Sequence, residues 1–575
     1  MKYTVSCDDA HRHSIAIEYK ISNNTEEQVV VNLPAWRPGR YELGNFAKNI
    51  QKWEAFDGKG NALVFKKINK DSWSIQTAKA AEIIIKYTYY AAELNAGSSY
   101  LDTTQLYINP VNCFMYVPNR MNEECVVELN VPENYKLAIG AKKISEHSFQ
   151  TKSFDELADT PFIASDTLKR NKFVMDGVEV NLWFQGECKP DFSKLIRDFF
   201  IFVNEQFMMM KEFPTTEYHF LFQVLPYKFH HGVEHVTSTV IALGPSYNIM
   251  KGDAYLDLLG VSSHEFFHVW NIKSIRPAEM YPYDFSKENY SRLGYVCEGL
   301  TTYYGDYLLY RSGVFNEQEY ADTFNEQLQK HFDNFGRFNL SVADSSFDTW
   351  LDGYTPGVPN RKVSIYTEGC LLAFITDVTI RKQTNNAKSL DDVMRTLYFD
   401  FAKQGKGYTD NDYQQLIESL TGNSWKDFFA SYVYGTKSLE ELIKSSLAYL
   451  GLTLSIKPTS LYNASYLGFK VLEQNNQTGV IAIYPNSAAD KAGLAVGDRL
   501  LAINGIEVTN NLAEWCSYFA AEKSIQLTVV KDKIQSTLLV ENNKELYYKQ
   551  YSIHKLAEAF EEQKTNYYSW CKKRF

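Results

Sequence analysis

The stretch VSSHEFFHVWNIKSIRP, Val261 to Pro277, decides how this chain is read. It contains His-Glu-x-x-His, with His264 and His268 four residues apart and Glu265 beside the first. On a helix, residues four apart point the same way, so both imidazoles leave one face. Two imidazole nitrogens on one face suit Zn²⁺, which takes nitrogen ligands at about 2.0–2.1 Å. Glu265 falls on the adjoining flank, where it reaches a water at the metal rather than the metal itself. The pattern therefore reads as two ligands and a general base. The plainer alternative is a partly buried helix with two hydrogen-bonded histidines.

A hydrolytic zinc keeps three protein ligands and one open position. A third histidine six residues past His268 would mark the metzincin arrangement, but position 274 is Ser and Asn271 stands where that pattern has Gly. Downstream only His331 and His554 remain, so a carboxylate is the better third donor. Glu279, Asp284 and Glu288 fall in a stretch broken by Pro277 and Pro282, a poor frame for a rigid ligand. Glu298 opens CEGLTTYYGDYLLY, a helical segment able to pack against 254–270, which is what a two-helix metal site needs. Glu298 is the preferred ligand and His331 the reserve.

Outward from the motif, the pattern changes twice. Residues 1 to about 165 are runs of β-branched and aromatic residues between turns, such as HSIAIEYKI, EQVVVNLPAW, AEIIIKYTYYAA and CVVELNVP. A further strand pair, KFVMDGVEVNLWF, follows. DFSKLIRDFFIFVNEQFMMMKEF then sets Leu195, Phe199, Phe202, Val203 and Phe207 on one helical face, and YHFLFQVLP returns to a strand. Helices are expected at 254–270, 291–311, 317–334, 366–383, 389–404, 410–421 and 438–450. Thr409 and Ser389 read as N-caps, each with Asp three residues on. Residues 452 to about 545 turn β-rich again, and a last helix is expected at roughly 543–572.

With 575 residues the chain is too long for one core. A net charge of -10 gives no support to nucleic acid or an anionic membrane as partner, since both select a basic surface. No run of 18 apolar residues suggests a transmembrane helix, and the first twenty residues lack the apolar stretch of a signal peptide. The eight cysteines are scattered with no CxxC pair, as in a reducing compartment, so a cytoplasmic location is expected.

HEFFHVWNIKSIRP followed by VCEGLTTYYGDYLLYRSG resembles the glycyl aminopeptidase family, zinc metallopeptidases of the gluzincin group. LPAWRPGRYELGNFAKNI (33–50) resembles that family's β-rich N-terminal domain, and DFFASYVYGT (427–436) the end of its helical domain. YLGF (466–469) with NSAADKAGLAVGDRLLAINGIEV resembles the PDZ module many members carry. The resemblance puts the zinc ligands on His264, His268 and Glu298 and the catalytic glutamate on Glu265. It departs at Cys297, directly before the third ligand, and at Ser274, where a basic residue is commoner. Related aminopeptidases have a Gly-x-x-Glu segment that binds the substrate's α-ammonium, which implies Gly232 and Glu234 here. VSIYTEGCLLAFITDVTIR is similar to a Tyr-x-x-Gly helix start whose tyrosine bonds the oxyanion, which implies Tyr366. The nearby His230, His231 and His235 have no carboxylate pair and are read as cleft lining.

The fold class expected is multidomain α+β: a β-sandwich-like domain at 1–168, a thermolysin-like, mostly helical catalytic domain at 169–450, a PDZ domain at 451–545 and a C-terminal helix at 546–575. The function expected is a zinc aminopeptidase acting on peptides with small first residues such as Gly or Ala, with a peptide C-terminus as ligand of the PDZ groove. Two rivals stay open: an endopeptidase with PDZ-delivered substrates, and a catalytically silent peptide-binding scaffold. An intact Glu265 counts against the scaffold, because a structural zinc needs no base.

Overall fold

Alternating apolar residues in the first 165 positions become sheet in the computed structural model, which describes residues 1–355 and 357–575. Ser14–Ile21 buries Ile15, Ile17, Tyr19 and Ile21 along one side, as a period of two requires. This strand lies in a seven-stranded sheet, between Lys2–Asp9 and Ile83–Tyr90. Lys2–Asp9 also pairs in parallel with Cys125–Asn130. A three-stranded and a four-stranded sheet complete this region. Its core is not closed on itself. Ile272, Met280, Tyr283, Phe285 and Cys297, all from the chain after the histidine motif, belong to the same cluster of buried residues as Tyr3, Ile17 and Trp36.

The next sheet has five strands, in the order Lys169–Met175, Val178–Gln185, Glu217–Val224, Ser238–Gly244 and Phe229–Glu234. Its central strands pair in parallel and are buried almost throughout, which explains their unbroken apolar runs. Phe229–Glu234 is the edge strand, antiparallel to Ser238–Gly244. Helix Phe192–Met210 buries Leu195, Phe199, Phe202, Val203 and Phe207, the face its periodicity marks.

Helices Gly252–Phe267, Glu317–Asp333, Ile365–Gln383, Asp410–Thr421 and Glu440–Tyr449 stand where the sequence places them. Ser389 and Thr409 form capping boxes with Asp392 and Asp412. Two elements differ from expectation. The helix expected from 291 begins only at Tyr295, as a π-helical turn Tyr295–Leu300 that runs into the α-helix Thr301–Ser312. The chain end is not one helix over 546–575. Lys549–Lys555 is a strand paired with Leu452–Pro458, and only Glu561–Cys571 is helical. KQYSIHK alternates large and polar residues, a strand period that outweighs the charged, turn-poor appearance of the segment.

The chain forms two compact units: Met1–Tyr320 with Phe335–Leu450 and Glu561–Phe575, and Ala321–Asn334 with Gly451–Phe560. In the second unit, a sheet runs Phe469–Gln474, Gln477–Ile483, Arg499–Ile503, Ser524–Lys531 and Ile534–Glu541 over a core of Leu467, Phe469, Leu500, Leu512 and Ile525. The α+β character, with β-rich N-terminal, helical middle and PDZ-like final regions, follows the sequence reading. Among the described residues no helix is long and apolar enough to cross a membrane.

Candidate active site

Helix Gly252–Phe267 delivers His264 and Glu265, and His268 is its C-terminal cap. The two imidazoles leave one face, with their Nε2 atoms 3.1 Å apart. Glu298 closes the group from the π-helical turn, its Oε2 3.3 Å from His268 Nε2 and 3.9 Å from His264 Nε2. One donor atom from each of the three lies within 4.8 Å of the others. A π-turn adds one residue to the helical register, and such bulges recur at functional positions because they re-aim a side chain. His331, the reserve ligand, lies in the second unit and in neither side-chain group able to hold a metal.

The backbone behind the motif fixes these orientations. His268 Nδ1 is 3.0 Å from the Asn271 carbonyl, so its hydrogen is used there and Nε2 is the ring nitrogen left to face the site. The Asn271 amide nitrogen donates across to the Val296 and Cys297 carbonyls and Thr301 Oγ1, at 2.9, 3.0 and 2.9 Å. It therefore ties the end of the motif to the turn that carries Glu298. Ser274, where a metzincin would have its third histidine, donates to the Val269 carbonyl at 2.7 Å instead.

Glu265 and Glu234 converge with His268 in a second group of donors, again within 4.8 Å. Both carboxylates are buried, at 6% and 5% exposure, and each keeps an oxygen with no hydrogen-bond partner among the described residues: Glu265 Oε2 and Glu234 Oε1. Gly232, two residues before Glu234 on the edge strand, makes the close approach possible, since a Cβ there would stand 2.2 Å from Glu265 Oε1. Tyr366 lies in the first turn of helix Ile365–Gln383, its ring centroid 6.5 Å from that of His264. The structure thus gathers all seven residues singled out in the sequence: Gly232, Glu234, His264, Glu265, His268, Glu298 and Tyr366.

The electrostatics call for a cation. Burial, then His268 and His230, hold the His264 imidazole well below its ordinary range, so it stays neutral. Burial opposes a charge on His268, yet the bonded Glu298 carboxylate drives it up to about 10. Burial pushes Glu265 up to about 8, with Glu234 and Glu298 adding to the rise against His268. Three buried carboxylates around two facing imidazole nitrogens are an expensive arrangement unless a positive charge sits among them. Two nitrogens and a carboxylate oxygen match the three protein donors of a hydrolytic zinc.

Residues that sequence reading passed over complete the site. The loop Arg37–Tyr41 comes from the N-terminal β region. Gly39, at φ +82°, lies against Glu234, where a Cβ would meet Oε2 at 2.6 Å. The Tyr41 hydroxyl bonds to Glu298 and opposes the rise that burial gives its carboxyl, while the Tyr41 amide donates to Tyr354 Oη at 3.1 Å. Asp159, also N-terminal, accepts from Lys273 Nζ at 2.6 Å and the Val236 amide at 2.8 Å, and stands 3.1 Å from His235 Nδ1. It thereby pins the ends of both the Glu234 strand and the histidine motif. No local pattern marks these residues. Only the quoted stretch 33–50 pointed at the loop, and it assigned no role.

Asn271→Ala should weaken metal binding about 10- to 100-fold, the usual cost of losing outer support to a ligand set. Competition with a chromogenic chelator measures this, and an unchanged affinity would show that Asn271 does not organise the site.

Residues 2–166 match the Peptidase M61 N-terminal domain, 257–372 match M61 glycyl aminopeptidase and 479–531 match a PDZ domain. No curated protein matches the chain. Among solved structures, an aminopeptidase N family protein from Idiomarina loihiensis is similar over 99% of both chains, at 26% identity and a TM-score of 0.91. An M1 zinc metallopeptidase variant from Deinococcus radiodurans, bound to a Tyr-Ser-Ala substrate, aligns over 76% of this chain and 93% of its own, at 12% identity and a TM-score of 0.47. The chain is a peptidase of the M61 glycyl aminopeptidase family with a PDZ domain in its C-terminal part.

Proposed function

We propose that this chain is a zinc aminopeptidase that removes small N-terminal residues such as Gly or Ala from peptides. The observation that carries the reading is the convergence of His264, His268 and Glu298 on one point, with the bare, buried oxygens of Glu265 and Glu234 beside it. His264, His268 and Glu298 would hold the metal. Zinc, when bound, supplies a Lewis acid for the scissile carbonyl and makes water acidic enough to lose a proton near neutral pH. Glu265 takes the proton of the attacking water and passes it to the leaving amine. Tyr366 donates its hydroxyl hydrogen to the developing oxyanion, and burial, which keeps its pKa well above the ordinary value, leaves that hydrogen in place. Glu234 receives the substrate's α-ammonium, which sets where the first residue lies relative to the water. A peptide C-terminus is the ligand expected of the PDZ groove at YLGF. Free thiols at all eight cysteines support a cytoplasmic setting.

Glu265→Gln should keep roughly stoichiometric zinc and lose nearly all turnover, whereas His264→Ala or Glu298→Ala should lose the metal too. Zinc content measured alongside aminoacyl-reporter turnover separates these outcomes. A Glu265→Gln enzyme working at near wild-type rate would remove the base from the mechanism.

Tyr366→Phe should lower kcat about 10²- to 10³-fold with little change in KM, the signature of one donor lost from the transition state. Steady-state kinetics decides, and an intact kcat would pass the role to another residue.

Glu234→Ala should shrink the preference for free over N-acetylated peptides at least tenfold, since about 1.4 kcal/mol is modest for one charge-assisted contact. The comparison uses kcat/KM on matched peptide pairs. Wild-type enzyme that cuts blocked peptides internally as fast as free ones would favour an endopeptidase instead.

A further inference from the structure

We propose that Arg37 reads the side chain of the substrate's first residue, welcoming a carboxylate there and rejecting a cation. The inference rests on the aminopeptidase reading. If Glu234 holds the ammonium while the metal centre holds the scissile carbonyl, the first Cα lies between them. Its side chain must then face the remaining wall beside Glu234. That wall is the loop Arg37–Tyr41, whose Gly39 backbone presses against the Glu234 carboxylate.

Arg37 is the unusual member of this loop. It is 6% exposed, and its guanidinium carries five donors. Its hydrogen-bond partners among the described residues are the Pro38 carbonyl at 3.4 Å and His231 Nε2 at 3.5 Å, both at the long limit. His231 is a neutral partner, since burial and then Arg37 and Arg40 hold its pKa down to about 3. Among the described residues Arg37 forms no ion pair. Arg40, three residues on, is satisfied by contrast: it pairs with Glu42 and lies 4.6 Å from the centre of the Tyr354 ring. A buried guanidinium without a carboxylate is costly to keep. Its contact to His231 sets it against the edge strand Phe229–Glu234, one residue from Gly232 and three from Glu234. On its other side it borders a cavity of about 580 Å³ walled by the N-terminal region, including Glu93, Asn95, Ser98 and Asn112. A carboxylate one or two methylenes from the first Cα would complete its donor set with a charge-assisted fork. A lysyl or arginyl side chain would meet like charge in a dry pocket. The ranking concerns side chains larger than methyl, so small residues are unaffected by it.

The rival explanation is that Arg37 only offsets the crowd of active-site carboxylates. That role would change all substrates alike. The test is kcat/KM for tripeptides that differ only at the first residue (glycyl, glutamyl, glutaminyl and lysyl), with wild type, Arg37→Gln and Arg37→Lys. Wild type should favour glutamyl over glutaminyl, and glutaminyl over lysyl, each at least about tenfold. Arg37→Gln should bring both ratios within about threefold, and Arg37→Lys should keep their order. Equal glutamyl and glutaminyl rates in wild type, or ratios unmoved in Arg37→Gln, would overturn the assignment. If the glycyl peptide is cleaved and the other ratios are flat, only Arg37 is misassigned. If no free peptide is cleaved, the aminopeptidase reading itself fails. Should Arg37→Gln not fold, the wild-type ratios decide, together with competitive inhibition by free glutamate against lysine.

Discussion

The backbone contact between Gly299 and Gly369 sets the spacing on which the candidate site depends. A Cβ on Gly299 would stand 2.3 Å from the Gly369 Cα, and one on Gly369 would stand 2.4 Å from the Tyr295 carbonyl oxygen. Two helical segments therefore touch main chain to main chain, closer than any side chain permits. Glu298 directly precedes one glycine, and Tyr366 lies three residues before the other. The contact brings the carboxylate and the phenol to the same end of the crossing, beside His264. A methyl group at either position would have to separate the helices, because backbone cannot give way as a flexible side chain can.

Charge is the second constraint. Glu234, Glu265 and Glu298 are all buried, and His268 is the main group that offsets Glu265 and Glu298. Asp159 with Lys273, and Tyr41 with Glu298, hold the surrounding segments in place. The charged groups of the centre are thus held in place by contacts from several segments. Preorganisation of this kind is what lets polar groups in a dry site act without first rearranging.

Much of this was legible in the sequence because it has a period or a motif. The histidine pair, Glu265 and the helix behind Glu298 follow from helical spacing, and the strands and most helices follow from periods of two and 3.6. The capping boxes at Ser389 and Thr409 are local chemistry and were readable as such. Tyr366 and Glu234 were legible only through family resemblance, since one tyrosine among 40 carries no mark of its own. The π-turn at Tyr295 was not legible, because it is chosen by packing against helix Ile365–Gln383 and not by propensity. Arg37, Tyr41 and Asp159 were out of reach for the same reason: their meaning lies in partners 76 to 313 residues away. The strand Lys549–Lys555 was missed where a short alternating run sat beside a genuine helix.

The shared core of the N-terminal strands and the segment after the histidine motif bears on how this enzyme is put together in time. Sequence divides the first 450 residues into two pieces, yet the loop of one supplies walls to the centre of the other. Synthesised from its N-terminus, the chain presents Arg37, Gly39 and Tyr41 long before His264 and Glu298 exist. The β region can begin to pair early, but Ile272, Tyr283 and Phe285 must arrive before its interior is sealed. Sealing that interior and seating the segment that follows the histidine motif therefore use the same contacts. A chain that stopped before Phe285 would leave the interior of its own β region open to water.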